Sequence, residues 1–134
     1  MRILGLDWGS VRIGVAMSDE EQRMAFPLQH PIDKKNALEE IRDLVTEYEI
    51  RRVVIGLPVS LQGNPTESTE KVKKFGAELE KELELMVDYF DERFSTVAST
   101  KSLHDQNIKE KEQRKIKDNI AAALMLQQYL ETKK

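Results

Sequence analysis

Two spacings of apolar residues divide the chain. In the opening stretch Ile3, Leu4 and Leu6 lead to the turn residues Gly9 and Ser10, which predicts a first strand ending near Asp7. Ile13, Val15 and Met17 then alternate with Arg12, Gly14, Ala16 and Ser18, the period of a second strand. Gly14 and Ala16 are small and leave one face of that strand open to close approach by another element. A third strand is expected over Met24 to Leu28, with Pro27 marking a sheet edge.

The spacing changes at Leu38. Leu38, Ile41, Leu44 or Val45, and Tyr48 predict an amphipathic helix from about Asn36 to Glu49. The unbroken run Val53-Val54-Ile55 suits a strand covered on both faces, closed by Gly56 and Pro58. Asn64-Pro65-Thr66-Glu67 reads as a helix start, with Asn64 as cap and Glu67 completing a capping box. Val72, Phe75, Leu79 and Leu83 continue that helix. "LELMVDYF" predicts a further strand ending at Asp91-Glu92, and a short helix is expected from Thr96 to Leu103. A final long helix carries Ile116, Ile120, Ala123, Leu126 and Leu130 as its apolar stripe. The order β-β-β-α-β-α-β-α-α predicts an α/β fold of the ribonuclease H-like kind. Its five-stranded mixed sheet begins as a three-stranded antiparallel meander, continues into parallel β-α-β units and is flanked by helices.

Composition narrows the class. The 134 residues are 40% apolar and 34% charged, and the expectation is a single ribonuclease H-like domain over 1–134. With no cysteine, neither disulfides nor a thiolate metal site can hold the fold. No apolar run approaches the ~20 residues needed to span a bilayer, so a cytoplasmic protein without a membrane partner is expected. A net charge of −3 argues against non-specific coating of nucleic acid, although local charge decides where phosphates bind. The run "KEKEQRKIK" from Lys109 to Lys117 sets five basic residues against two acidic ones. It reads either as a solvated helix start or as a phosphate clamp in which Arg114, Lys115 and Lys117 take part.

Acidic residues stand out by position. Asp7 ends the first strand, Asp91 and Glu92 follow a later one, and Asp118 lies in the early turns of the final helix. Ala121 and Ala122 would let that helix press onto the sheet and carry Asp118 toward the strand ends. Ligands of parallel α/β sheets gather beyond the carboxyl ends of the strands, where Asp7 and Glu92 meet if their strands are neighbours. Three such carboxylates, with no basic group built in among them, would repel one another, and a divalent cation resolves the repulsion. Mg²⁺ or Mn²⁺ suits hard oxygen ligands, and two ions about 3.5–4 Å apart can activate a water and stabilise a leaving oxygen. Arg93, beside Glu92, is placed to contact a phosphate, and Arg12 joins the candidate phosphate contacts. Taken singly, each has a plainer role: Asp7 as an Asx cap, Asp91-Glu92-Arg93 as a charged loop, Asp118 as a solvated helix charge. Their joint fit to one architecture favours the site. His30 and His104 read as surface or turn residues. Trp8, Phe90 and Phe94 are candidates for base stacking, with Phe90 also suited to a core.

The blocks "GLDWGSVRIGVAMSD", "VVIGLPVSLQGNPT", "DERFST" and "IKDNIAAALMLQQYL" resemble, in this order, those of the YqgF (RuvX) family. The resemblance covers nearly the whole chain. It implies a ribonuclease H-like fold related to the RuvC resolvases, divalent-metal-dependent phosphodiester hydrolysis, and Asp7, Glu92 and Asp118 as the acidic trio. Trp8 after the first Asp and Ser95 in place of a common Thr are small departures, and neither alters a ligand. The expected substrate is structured nucleic acid, with processing of the pre-16S rRNA 5′ end preferred over resolution of a branched DNA (Holliday) junction. A symmetric resolvase needs a two-fold dimer, and no apolar heptad or exposed apolar strand announces one. A monomer or weak homodimer is expected. Two rivals come from other classes. Asp7-Trp8-Gly9 resembles the phosphate loop of actin- and hexokinase-like ATPases, but one domain lacks their second wall. A non-catalytic RNA-binding assembly factor gains nothing from clustered negative charge.

Overall fold

A computed structural model describes residues 1–9, 11–57, 66–91 and 110–132, with side chains in the last segment from 118 onward. Strand β1 (Ile3–Trp8) turns tightly into β2 (Arg12–Ser18), the turn closed by Gly9 N–H donating to the Arg12 carbonyl at 2.9 Å. Two short strands, β3 (Ala25–Pro27) and β4 (Ile32–Asp33), both pair antiparallel with β2. Helix α1 (Ala37–Tyr48) leads to β5 (Arg52–Leu57), and α2 (Glu67–Leu83) to β6 (Met86–Asp91). Helix α3 (Glu110–Thr132) ends the described chain. The sheet order is β3-β2-β1-β5-β6, with β5 parallel to both β1 and β6.

The meander followed by parallel β-α-β units is as expected, but the sheet has six strands rather than five. Pairing along β2 is divided: β3 covers Ala16–Ser18 and β4 covers Arg12 and Ile13. Pro27, which has no N–H, pairs with Ala16 at this edge, and Leu28 N–H adds one more bond to the Val15 carbonyl at 3.1 Å. Two further expectations are corrected. The cap of α2 is Thr66, whose side chain exchanges hydrogen bonds with Thr69, rather than Asn64 with Glu67. The buried face of α3 is Asn119, Ala122, Met125, Leu126, Tyr129 and Leu130, while Ile120 and Ala123 are half-exposed. An apolar stripe misleads there because polar Asn119 and Tyr129 face inward with partners of their own. The short helix expected over 96–103 lies outside the described residues.

Both faces of the sheet are covered, and alternation along each strand assigns them. Leu4, Leu6, Ile13, Val15, Val53 and Ile55 pack with Ile41 of α1 and Val72, Phe75 and Leu79 of α2. Ile3, Ala16 and Val54 pack with α3 on the other face. There β1 and β2 carry glycine, and α3 lies close against the backbone. A Cβ built at Gly5 would stand 2.9 Å from Leu126 Cβ, and one at Gly14 would overlap the Asp118 carbonyl oxygen.

Side-chain amides complete the docking of α3. Asn119 Oδ1 accepts from Val15 N–H at 3.0 Å, and its Nδ2 donates to the Leu28 carbonyl at 2.6 Å. Val15 lies between the stretches of β2 that β3 and β4 pair; Leu28 N–H donates to its carbonyl at 3.1 Å, and the amide bridges the Val15 N–H and the Leu28 carbonyl, which do not meet directly. Two turns on, Gln127 accepts from Ala25 N–H at 2.9 Å and donates to the Arg23 carbonyl at 3.0 Å. Near the far end, Tyr129 hydroxyl donates to Asp88 Oδ2, which also accepts from Arg52 Nη1 at 2.7 Å.

Gly14→Ala is expected to lower stability by about 2–3 kcal/mol, because backbone rather than a flexible side chain fills the space. Asn119→Leu should cost about 1–3 kcal/mol by leaving Val15 N–H buried without its acceptor. Urea unfolding measures both, and an unchanged midpoint would contradict the close docking of α3. Burial, then the hydrogen bond to Asp88, pushes the Tyr129 phenol above its ordinary value of 10.0. Unfolded chain then loses this proton first, so the stability contributed is present below pH 10 and lost as pH rises through the folded value. Tyr129→Phe should therefore flatten the alkaline decline of the melting temperature above pH 10; Tyr89, whose phenol is also raised by burial, leaves a residual slope in both proteins.

Candidate active site at the carboxyl ends of the strands

The site is built on one row of the sheet. Gly14, Asp7, Gly56 and Phe90 lie side by side across β2, β1, β5 and β6. Asp7 alternates in step with Ile3, which places it on the α3 face, at the carboxyl end of its strand. Its partners in both ladders are glycine, so neither Gly14 nor Gly56 sets a side chain beside its carboxylate.

Asp118 comes to this row through Gly14. The contact of its carbonyl with the bare Gly14 backbone fixes where the first described turn of α3 side chains begins, and Asn119 holds the next residue. The two carboxylates are close enough to influence each other: Asp7 raises the Asp118 pKa. Burial is the larger cause of that upward shift, and the Arg12 guanidinium opposes it without cancelling it. Asp7 and Asp118, 111 positions apart in sequence by subtraction of their numbers, thus share one half-buried site.

A basic group lies against Asp118, contrary to expectation. Arg12 opens β2 on the same face as Gly14, and its Nε lies 3.2 Å from Asp118 Oδ2. Nε is buried, and its approach lacks the alignment of a hydrogen bond. Arg12, expected to contact substrate phosphate, therefore faces a carboxylate in this state. Arg side chains at strand starts are common on surfaces, and only the depth of the Gly14 contact makes this one part of the site.

The other expected residues divide clearly. β6 is not adjacent to β1, because β5 lies between them; Asp7 is level with Phe90 across two ladders. Phe90 packs on the α3 side, so alternation turns Asp91 to the opposite face, away from Asp7. Glu92, Arg93 and Phe94 lie outside the described residues, as does His104, and the side chains of Arg114, Lys115 and Lys117 do too. Trp8 points to the α1–α2 face, its ring 5.3 Å from Phe75 and 4.2 Å beneath Lys34 Nζ. That cation–π stack occupies a ring considered for base stacking. His30 is exposed.

Among the described residues no three acidic or imidazole groups form a metal cluster. Asp7 and Asp118 nevertheless suit a hard divalent cation in donor chemistry. They supply carboxylate oxygens, and their mutual charge raises the cost of keeping both ionised without a cation.

This sheet with an acidic residue at the carboxyl end of its first strand belongs to the ribonuclease H-like, RuvC-type nuclease fold. The structure of Thermus thermophilus RuvC superposes with a TM-score of 0.60 at 12% identity, covering 99% of this chain and 96% of that one. The fowlpox virus Holliday junction resolvase gives 0.58 at 18% identity, covering 98% and 99%. A family model described as "RuvX: Holliday junction resolvase" matches residues 1–132, and the chain belongs to the RuvX family. Relatives from Heliobacterium modesticaldum (39% identical, covering 99% of this chain and 91% of the relative) and Clostridium tetani (40%, covering 98% and 97%) carry the name "Putative pre-16S rRNA nuclease".

Replacing Asp7 by Asn should bring the Asp118 pKa down toward its ordinary value, since a like charge is removed while the group stays buried. Carbon-13 NMR titration of the Asp118 carboxyl reads this directly. An unmoved titration midpoint would mean that the two carboxylates do not share a site.

Proposed function

We propose that the protein is a divalent-metal-dependent nuclease that hydrolyses phosphodiester bonds in structured nucleic acid, acting on the 5′ end of precursor 16S rRNA. The observation that carries this reading is the pairing of Asp7 with Asp118 at the strand edge, in a chain of the RuvX family. Mg²⁺ or Mn²⁺ would be held by Asp7, Asp118 and Glu92, and when bound would activate a water and offset charge on the leaving oxygen. Arg12, Arg93, Arg114, Lys115 and Lys117 are the proposed phosphate contacts, and Glu92 rests on the family pattern. The protein is taken to act in the cytoplasm as a monomer or weak homodimer. Among the described residues no helix is long and apolar enough to cross a membrane.

RNA is favoured over branched DNA by the pattern of likeness. Relatives named for rRNA processing are about as similar as 40% over nearly full length, whereas the resolvase structures at 12% and 18% identity carry the fold alone. The family description keeps junction resolution as the second reading. A non-catalytic RNA-binding assembly factor is the third, disfavoured by two acidic side chains placed where phosphates must approach.

Incubating end-labelled precursor RNA and a four-way DNA junction side by side with Mn²⁺ separates these readings. The expected result is cleavage of the RNA, with the rate in Asp7→Asn reduced on the order of a hundredfold or more while circular dichroism is unchanged. Preferential cutting of the junction would favour the resolvase. Equal cleavage by variant and wild type would refute the site, and metal-independent RNA binding without cleavage would favour the assembly factor.

A further inference from the structure

We infer that Arg12 is a two-position residue: it is the resting counter-cation of the carboxylate pair, and divalent metal binding displaces it toward the substrate phosphate. The inference rests on the reading that Asp7 and Asp118 hold the cation.

The backbone on either side of Arg12 is fixed. Its carbonyl closes the β1–β2 turn with Gly9, and its strand pairs with β4 through Asp33. Asp118 is equally fixed, since its carbonyl lies on Gly14 and Asn119 is bonded to β2 and to Leu28. Only the two side chains can adjust. Between these rigid supports the guanidinium offsets part of the charge of half-buried Asp118, which also feels the like charge of Asp7.

The pairing is incomplete as chemistry. Arg recognises a carboxylate best through two parallel N–H bonds. Here a single nitrogen, Nε, makes the close approach at 3.2 Å, and this buried atom has no aligned acceptor. Such an ion pair restrains repulsion but gives up little when broken. A cation held by the Asp118 carboxylate would compete with Arg12 for the same negative charge, and its own charge would repel the guanidinium. A phosphodiester beside the metal offers Arg12 the paired oxygens that Asp118 does not. The same side chain therefore opposes metal entry in the free protein and binds substrate once the metal is in place.

This gives an unusual signature: loss of one positive charge strengthens metal binding and weakens nucleic-acid binding. Mn²⁺ affinity is measured by electron paramagnetic resonance on the full chain without substrate, for wild type, Arg12→Gln and Arg12→Lys. Arg12→Gln should bind Mn²⁺ about three- to tenfold more tightly, as expected from removing a nearby cation in a partly screened site, and Arg12→Lys should stay near wild type. In Ca²⁺, precursor RNA should bind Arg12→Gln more weakly, with the salt dependence reduced by about one phosphate contact. Melting curves confirm that each variant is folded. Equal or weaker Mn²⁺ binding by Arg12→Gln overturns the displacement while leaving the metal site standing. Absence of Mn²⁺ binding in every protein overturns the metal reading and this inference with it.

Discussion

The approach of α3 to a bare stretch of β2 is the constraint on which the candidate site depends. Gly14 admits the Asp118 carbonyl where any other residue would place a Cβ. Asn119 then accepts the Val15 N–H and donates to the Leu28 carbonyl, the bond that a continuous ladder would have made between those two groups directly. The two features belong together. Dividing the edge pairing between β3 and β4 leaves a backbone N–H to be satisfied, and satisfying it from a helix requires that helix to lie very close. One consequence is positional: the residue before Asn119 must sit at the sheet's carboxyl edge, and that residue is the carboxylate.

The rest of α3 keeps this contact in register. Gln127 repeats the amide bridge on β3, and Tyr129 reaches Asp88 and Arg52 near the amino ends of β5 and β6. The helix is thus tied by polar contacts at both ends and packed by Ala122, Met125 and Leu126 between them. A purely apolar interface would tolerate sliding by a fraction of a turn. Directional bonds spaced along the helix do not, and fixed placement is what a site made from residues 7 and 118 requires.

Much of this is legible from residue patterns. The succession of strands and helices along the chain follows from alternation and from the change to helical spacing, and small Gly14 and Ala16 mark a face open to close approach, which α3 covers. The buried stripe of α3 differs from the expected one because apolar spacing is blind to polar side chains that find partners inside, whereas the cap of α2 differs because Asn64 and Thr66 are both good caps two residues apart and the sequence offers each. Asn119 looks like a solvent residue until the Val15 N–H and the Leu28 carbonyl are known to lack each other. Arg12 reads as a candidate phosphate contact, and its approach to Asp118 depends on a helix more than a hundred residues later. The packing of Phe90 on the α3 side turns Asp91 away from Asp7, which the sequence leaves open.

The charge arrangement also bears on why a nuclease site would contain an Arg at all. A carboxylate pair intended for a cation is costly in its absence, because burial and mutual repulsion both favour protonation, as the upward shift of Asp118 shows. Leaving the pair without a counter-charge would lower stability or let the pair take up protons. A permanent, fully satisfied Arg–carboxylate bridge would block the metal instead. A single misaligned contact from a strand-anchored Arg lies between these limits: it sets a positive charge against Asp118 and is weak enough to yield. The poor geometry of the Arg12–Asp118 pair is therefore consistent with a site that has to remain open to exchange, and less so with a bridge whose only role is to hold α3 on the sheet.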